Sequence, residues 1–201
     1  FMVTGKRHPF AYEYDVGFDD TGRITGLKLQ MAANCGFSAD LSGPVADRAV
    51  FHADNAYYLS DVEIASYRCK TNTQSHTAFR GFGGPQGVIV IEAILGDIAR
   101  ALGRDAQDVR LANLYGKDAS TGRHVTHYQM AVEDNILHEL LPTLEQTSHY
   151  RQRQAEIADW NAHNTVIKRG MAITPVKFGI SFTATLFNHC LLYTSPSPRD
   201  S

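Results

Sequence analysis

Hydrophobic and polar residues alternate along the first part of the chain, and this pattern predicts a β-hairpin. Residues 10–18 place an aromatic or aliphatic side chain at every second position, which is the period of a strand with one buried face. Residues 19–22 supply turn-forming chemistry, and a second alternating run follows over 27–33. Ile24 falls out of phase with that run, so we predict a β-bulge near residues 25–26.

The middle of the chain changes to the spacing of helices. Apolar residues between Val88 and Leu102 recur every three or four positions, which predicts a long helix buried on several sides, and Gly103 is its expected C-terminal cap. A short helix is predicted over about 44–52 and a third strand over about 62–69. Asp105 is the expected N-terminal cap of the next helix. Further helices are predicted over about 105–114, 137–144 and 149–164.

Alternation returns near the C-terminal end of the chain. Residues 171–175 are predicted as one strand and the run around 178–182 as another, with small residues on one face that leave room for a ligand or for close packing. Residues 189–201 contain prolines, charges and no period, and we interpret them as an irregular, non-native tail. Hairpin, short helix, strand, long helices and final strands together predict an α+β fold of antiparallel strands with packed helices.

Composition narrows the function classes. Charged residues make up 20% of the 201 positions and the net charge is −2, so no basic patch points to nucleic acid. No apolar run is long enough to span a bilayer, and we expect a cytoplasmic protein.

Cys35, Cys69 and Cys190 are widely spaced, which argues against a disulfide framework, a zinc site or a cysteine-bound iron–sulfur cluster. His124 and His127 fall in a predicted loop, where a metal role is disfavoured.

A glycine-rich stretch at 77–87, Thr-Ala-Phe-Arg-Gly-Phe-Gly-Gly-Pro-Gln-Gly, precedes the long helix. It matches neither a phosphate loop nor a dinucleotide turn. Pro85 suits a first helical turn, so the stretch is predicted to bring Arg80 and backbone N–H groups to a helix N-terminus, where anions bind. Phe79 and Phe82 would line an adjacent pocket. The alternative is a tight strand-to-helix connection with the phenylalanines in the core and the arginine in solvent.

Arg48 is a second candidate site residue. On the short predicted helix it lies three or four positions from Val45, Phe51 and His52, so it shares a face with apolar and aromatic neighbours. The alternative is an exposed arginine on a surface helix.

Four segments of the chain resemble the molybdenum-binding subunit of the xanthine dehydrogenase/xanthine oxidase family. They are Thr-Gly-Lys-Arg-His-Pro-Phe at 4–10, Asp-Arg-Ala-Val-Phe-His at 47–52, the glycine-rich stretch at 77–87, and Lys-Phe-Gly-Ile-Ser-Phe-Thr at 177–183. The resemblance covers residues 1–188 and implies that they are a fragment of a larger molybdopterin-binding domain.

The resemblance also implies a cofactor site. Arg80 and the main chain of Phe79 match positions beside a molybdenum–molybdopterin centre, whose phosphate and polar ring edges suit a guanidinium and backbone amides. The cofactor's own dithiolene sulfurs hold the metal, so no metal ligand is expected in this chain.

Substrate-binding residues are implied by the same resemblance. Phe82 and Phe182 match two rings that hold a planar heterocycle, and Thr183 matches a residue that touches the substrate. Arg48 matches an arginine that pairs with a substrate carbonyl and stabilises charge in the transition state of purine-specific members.

The implied activity is oxidation of hypoxanthine and xanthine to urate with oxygen from water. Electrons would pass to 2Fe–2S clusters and FAD, which belong to partner domains or subunits of an oligomeric enzyme and are not bound by this chain. The family's catalytic glutamates fall outside the fragment, so we expect the isolated chain to be inactive. The alternatives are an aldehyde oxidase-like molybdenum hydroxylase and a non-catalytic module for anion binding or assembly.

Overall fold

The computed structural model describes residues 4–179, and they form a mixed α+β fold, as the sequence predicts. The strands are β1 (Phe10–Phe18), β2 (Ile24–Gly36) and β3 (Val62–Lys70). The helices are α1 (Ser42–Phe51), α2 (Gly84–Leu102), α3 (Ala106–Asn113), α4 (Leu137–Thr147) and α5 (Tyr150–His163), with a short 3₁₀ turn at Ala119–Thr121.

The three strands form one sheet in the order β1-β2-β3. β1 and β2 are the predicted antiparallel hairpin. Its register changes where Gly17 pairs with Gly26 and Phe18 pairs with Ile24, which leaves one extra residue at Thr25 and confirms the predicted bulge. β3 pairs with β2 in parallel, because the chain crosses back through α1 before it re-enters the sheet.

The core lies between the sheet and α2. Ile91, Ile94 and Leu95 on α2 have no exposed surface, and Leu29 and Met31 from β2 are equally buried. They belong to one contiguous cluster of buried apolar side chains. The apolar stripe of α2 therefore carries the burial that its periodicity predicts.

Glycines bring α1 into backbone contact with α2. A Cβ placed on Gly83 would lie 2.1 Å from the carbonyl oxygen of Val45, and one on Gly87 would lie 2.3 Å from that of Ala49. Real side chains never approach so closely, so the glycines of the 77–87 stretch serve the packing of these two helices as well as the turn.

The predicted C-terminal cap of α2 and N-terminal cap of α3 are confirmed. Gly103 adopts the left-handed conformation at the C-terminus of α2, with φ of 62°. The side chain of Asp105 accepts a 2.8 Å hydrogen bond from the backbone N–H of Gln107 at the start of α3. No helix within residues 4–179 combines the length and the apolar composition of a membrane span.

The predicted strand at 171–175 is wrong, because these residues join no β-ladder in the structure. Their alternation is nevertheless real, since Ile173 and Pro175 are buried while Ala172 and Thr174 are exposed. An extended chain has this period whether its partner is another strand or a set of side chains. The predicted strand around 178–182 lies mostly outside the described residues.

Candidate functional site

The loop before α2 is shaped by three successive residues with positive φ: Gly81 at 90°, Phe82 at 48° and Gly83 at 97°. Gly83 is the N-cap of α2, and Pro85 lies in its first turn as predicted. Positive φ is unfavourable for Phe82, and residues other than glycine hold it mainly where the surroundings impose it. The loop thus has one defined shape directly at the positive end of the α2 dipole.

The side chains of Arg80 and Phe79 are exposed on the loop. Phe79 is 55% exposed, so it is not a core residue, and Phe82 is half-buried. Arg80 is exposed, and its guanidinium forms no hydrogen bond or ion pair within residues 4–179. The N–H of Phe82 donates to Phe79 O at 2.7 Å and that of Gly84 to Gly81 O at 2.9 Å. Two of the loop's amides therefore stabilise its own turns.

Lys6 and Arg7 in the N-terminal segment contact the loop from one side. Arg7 donates from Nη2 to the carbonyl oxygen of Arg80 at 2.5 Å, and its guanidinium lies 4.6 Å from the centre of the Phe79 ring. The N–H of Thr77 donates to Lys6 O at 3.1 Å. Arg7 was not singled out from the sequence, because its partners lie some 70 residues later in the chain.

Arg48 is buried, with 5% of its surface exposed, so the alternative of an exposed surface arginine is wrong. It donates from Nη1 to the carbonyl oxygen of Gly179 at 2.7 Å, and its guanidinium lies 5.5 Å from the centre of the Phe178 ring. Burial lowers the pKa of the guanidinium from its ordinary value, yet arginine remains a cation in proteins. The site thus contains a buried positive charge.

His52 lies one turn after Arg48 and holds the other side of the same peptide. The N–H of Gly179 points at Nε2 of His52 at 3.1 Å, so Nε2 is the acceptor. Nδ1 then carries the proton and donates to the carbonyl oxygen of Arg48 at 3.0 Å. Burial lowers the pKa of His52, and the charge of Arg48 acts in the same direction. This histidine is neutral at neutral pH.

Asn55 makes a similar pair of hydrogen bonds, to the backbone of Pro175 and Lys177. Its side-chain Nδ2 donates to the carbonyl oxygen of Pro175 at 2.8 Å, and its Oδ1 accepts from the N–H of Lys177 at 3.1 Å. Glu92 on α2 accepts a further 3.0 Å bond from the same amide and forms a 2.7 Å ion pair with Arg110. Asn55 is therefore fixed from two sides.

Lys177 adds an ionic contact. Its Nζ lies 2.5 Å from Oδ2 of Asp54, a carboxylate with no exposed surface. The same oxygen accepts a 2.6 Å hydrogen bond from the Tyr115 hydroxyl. Burial and the neighbouring carboxylate raise the pKa of Tyr115 far above its ordinary value, so this hydroxyl stays protonated and donates.

We call Arg48, His52 and Asn55 together the side-chain ladder. They bond to the backbone of residues 175, 177 and 179, which is every second residue of an extended segment. An adjacent strand would satisfy the same alternating groups. This explains why the extended residues 175–179 join no sheet.

The ladder brings the segment against the glycine-rich loop. A Cβ placed on Gly84 would lie 2.3 Å from Cε2 of Phe178, so the Phe178 ring covers the first residue of α2. Phe82 lies two residues before that contact. Phe182 and Thr183, the other predicted substrate residues, lie outside the described residues, a few positions after Gly179.

His124 and His127 are not placed as a metal site. His127 bonds through Nε2 to the carbonyl oxygen of Val50 at 3.0 Å. Within residues 4–179 no group of three or more His, Cys, Asp or Glu side chains is arranged to hold a metal ion.

Residues 1–114 match the molybdopterin cofactor-binding domain family, and the chain belongs to that family. Over 181 residues it is 43% identical to xanthine dehydrogenase of Drosophila subobscura, covering 90% of this chain and 13% of that protein. Over 187 residues it is 42% identical to xanthine dehydrogenase/oxidase of Gallus gallus, covering 93% and 13%. The resemblance to the xanthine dehydrogenase/xanthine oxidase family is confirmed, and the chain spans about an eighth of the length of these relatives.

Solved structures agree on the fold. The aldehyde oxidoreductase from Desulfovibrio desulfuricans superposes with a TM-score of 0.66 at 22% identity, over 77% of this chain and 16% of that one. The quinoline 2-oxidoreductase from Pseudomonas putida superposes with a TM-score of 0.64 at 18% identity, over 78% and 20%. At such identities the likeness shows the fold alone.

Proposed function

We propose that this chain forms part of the active site of a molybdenum hydroxylase that oxidises purines, converting hypoxanthine and xanthine to urate. One observation carries the proposal. The loop that bears Arg80 and Phe82, the buried cation of Arg48 and the segment leading to Phe182 all converge at the start of α2. In the complete enzyme, electrons would leave through 2Fe–2S clusters and FAD held by other domains or subunits of an oligomer.

Arg80 and the main chain of Phe79 would hold the molybdopterin. Arg80 is an exposed cation without a carboxylate partner among the described residues, and it lies beside a helix N-terminus. Both features favour a phosphate or another anionic group. When bound, the cofactor supplies the oxygen transfer and the two-electron oxidation. The chain's own residues bind it and orient the substrate.

Phe82 and Phe182 would hold the flat purine, one ring against its face and the other at its edge, with Thr183 in contact with the substrate. Arg48 would stabilise negative charge that develops on the purine ring. A guanidinium carries five N–H donors, so contact with a substrate carbonyl is compatible with its bond to Gly179.

Replacing Arg80 tests cofactor binding. In the complete enzyme, Arg80→Ala is expected to lower the molybdenum content at least about tenfold, because a charge-assisted contact contributes about 1.5–3 kcal/mol. Arg100→Ala, an exposed arginine at the other end of α2, is the matched control. Unchanged molybdenum in Arg80→Ala would favour the non-catalytic module instead.

An aldehyde-oxidising enzyme is the second candidate. The bond of Arg48 to a backbone carbonyl gives this arginine a use that requires no purine. Steady-state rates with xanthine and with a simple aldehyde, before and after Arg48→Ala, separate the two. A loss of about 10²–10³ in rate confined to xanthine supports purine oxidation, whereas an equal loss for both substrates, with the aldehyde preferred throughout, supports the alternative.

A further inference from the structure

We propose that His52 is a positioning residue for substrate binding: it fixes the register of the backbone at Gly179, shortly before the predicted substrate residues Phe182 and Thr183 in the sequence. This inference rests on the proposed function, since it assumes that these two residues contact the substrate. Within residues 4–179, His52 is bonded to the backbone of Arg48 and of Gly179, and we assign it no direct contact with the substrate.

The geometry at Gly179 carries the inference. The N–H of Gly179 is held by Nε2 of His52 at 3.1 Å, and its carbonyl oxygen by Nη1 of Arg48 at 2.7 Å. Both polar groups of one residue are therefore bound by two side chains one helical turn apart. Held from both sides, Gly179 can neither slide along α1 nor rotate about its axis without losing a hydrogen bond.

Register matters because the predicted substrate residues come only three and four positions after Gly179. Successive side chains of an extended chain point to opposite faces, so a slip of one residue within 175–179 would exchange the faces of this segment and move the point from which the chain continues. The ring of Phe178 already lies against Gly84 and 4.9 Å from the His52 ring. Within the described residues, Gly179, bonded to both His52 and Arg48, is thus the last fixed residue before the predicted substrate residues.

Only a neutral imidazole with its proton on Nδ1 serves this bond. Nδ1 donates to the carbonyl oxygen of Arg48, which leaves Nε2 as the acceptor. An apolar side chain of similar size would fill the space, since His52 is only 7% exposed. It would, however, leave the Gly179 N–H without an acceptor. The requirement is for an acceptor at Nε2 and not for bulk alone.

Two substitutions in the complete enzyme distinguish the need for a hydrogen-bond acceptor at position 52 from the need for a side chain of that volume. In His52→Gln the side-chain oxygen reaches roughly the position of Nε2 and can still accept, whereas His52→Leu fills the space without accepting. We expect His52→Leu to raise the KM for xanthine about tenfold, as the loss of one buried hydrogen bond of about 1–1.5 kcal/mol implies. We expect His52→Gln to stay within about threefold of wild type, and molybdenum content to be unchanged in both.

His163→Leu is the matched control. In the wild type, Nδ1 of His163 bonds to the carbonyl oxygen of Asp159, four residues earlier, at 2.9 Å. Nδ1 of His52 makes the same kind of bond to the carbonyl oxygen of Arg48. His163 is exposed on α5, and its hydrogen bond and its ion pair within residues 4–179 are both to Asp159. This variant should leave the KM and the hydrogen exchange of that segment unchanged.

Amide hydrogen exchange of the peptide containing Gly179 provides a readout that requires no turnover. Faster exchange in His52→Leu, restored in His52→Gln, is expected. A KM that stays at the wild-type value in His52→Leu, or equal defects in both variants, would overturn the positioning role. If the wild-type enzyme binds molybdenum but oxidises no purine, the proposed function fails by itself. The exchange pattern, together with the KM for whichever substrate is oxidised, then still decides the role of His52.

Discussion

The loop at 77–83 and the segment at 175–179 meet at Gly84, yet they are held in place by different physical means. The loop owes its shape to left-handed backbone and to glycines that let α1 and α2 touch, and its charged side chain remains exposed. The segment owes its position to buried polar side chains that replace a neighbouring strand. One half of the site depends on the absence of side chains, and the other depends on their presence.

This difference predicts different sensitivities. Adding a single carbon should damage the loop most, whereas the segment should tolerate changes of volume but not the loss of a hydrogen-bonding or charged partner. A site built in these two ways has a rigid backbone cradle on one side and an adjustable polar attachment on the other.

The largest effect is expected for Gly83→Ala in the loop. The new Cβ would lie 2.1 Å from the carbonyl oxygen of Val45, at a residue whose φ is 97°. Strain and overpacking together should destabilise the chain by about 4 kcal/mol or more, measured by denaturant unfolding. Gly103→Ala is the control, because φ there is 62° but nothing lies within 4 Å of the added carbon, and it should cost about 1 kcal/mol. Equal losses in the two variants would show that close packing at Gly83 is unimportant.

Lys177→Met should be the next largest change, and it probes the segment. Removing the ammonium leaves the carboxylate of Asp54 buried without its cation, and breaking such a pair costs about 3 kcal/mol. Lys28→Met removes an exposed ion pair with Glu63 at 3.7 Å and should change stability by less than about 0.5 kcal/mol. Unfolding of both variants by denaturant gives the comparison; a loss below about 1 kcal/mol for Lys177→Met would mean that the segment is held by the side-chain ladder alone.

Arg7→Met should have a smaller and local effect on the loop. It removes the hydrogen bond to Arg80 O and the contact with the Phe79 ring, together about 1–2 kcal/mol. Amide exchange of residues 77–83 should accelerate about tenfold, and molybdenum retention by the complete enzyme should fall. Lys6→Met, an exposed neighbour, is the control and should leave both unchanged. Slow exchange in Arg7→Met would show that glycine packing is enough to fix the loop.

The smallest expected effect is the pH dependence of stability that His52 contributes where it holds the 175–179 segment. Burial holds the pKa of folded His52 below its ordinary value of 6.5, so as pH falls below 6.5 the unfolded chain takes up a proton that the folded chain resists. Unfolding is then favoured, and stability should decline between pH 6.5 and the lower folded pKa. His8, whose pKa burial also lowers, contributes in the same direction. Denaturant midpoints measured across this range should fall less in His52→Leu than in wild type; parallel curves would contradict a neutral, buried His52.

Local patterns predicted most of the regular structure. The alternation in β1 and β2, the out-of-phase Ile24 and the cap at Asp105 depend on neighbours within a few residues, and all were confirmed. The strand predicted at 171–175 failed for the converse reason. Its period is that of any extended chain with one buried face, and only the tertiary structure shows that Pro175, at its end, bonds to the side chain of Asn55 and not to a strand.

In the candidate site, too, local sequence predicts some features and long-range contacts decide the others. The glycine-rich stretch and the resemblance made Arg80, Phe79, Phe82 and Arg48 candidates from sequence, because backbone shape and family motifs depend on consecutive residues. His52 was noted only as a neighbour of Arg48, and its bond to Gly179 could not be foreseen. Its hydrogen bonds carry no periodic or compositional signal.

Taken alone, the amino-acid sequence determined most of the elements, the glycine-rich turn and the family, since these depend on short-range sterics, burial periodicity and motif order. The tertiary structure alone decided that the side-chain ladder of Arg48, His52 and Asn55 holds the 175–179 segment and that Arg7 bonds to the loop. Such contacts depend on which distant residues the packing of α1, α2 and the sheet brings within hydrogen-bonding distance. That distance is a property of the folded backbone and of no single stretch of the chain.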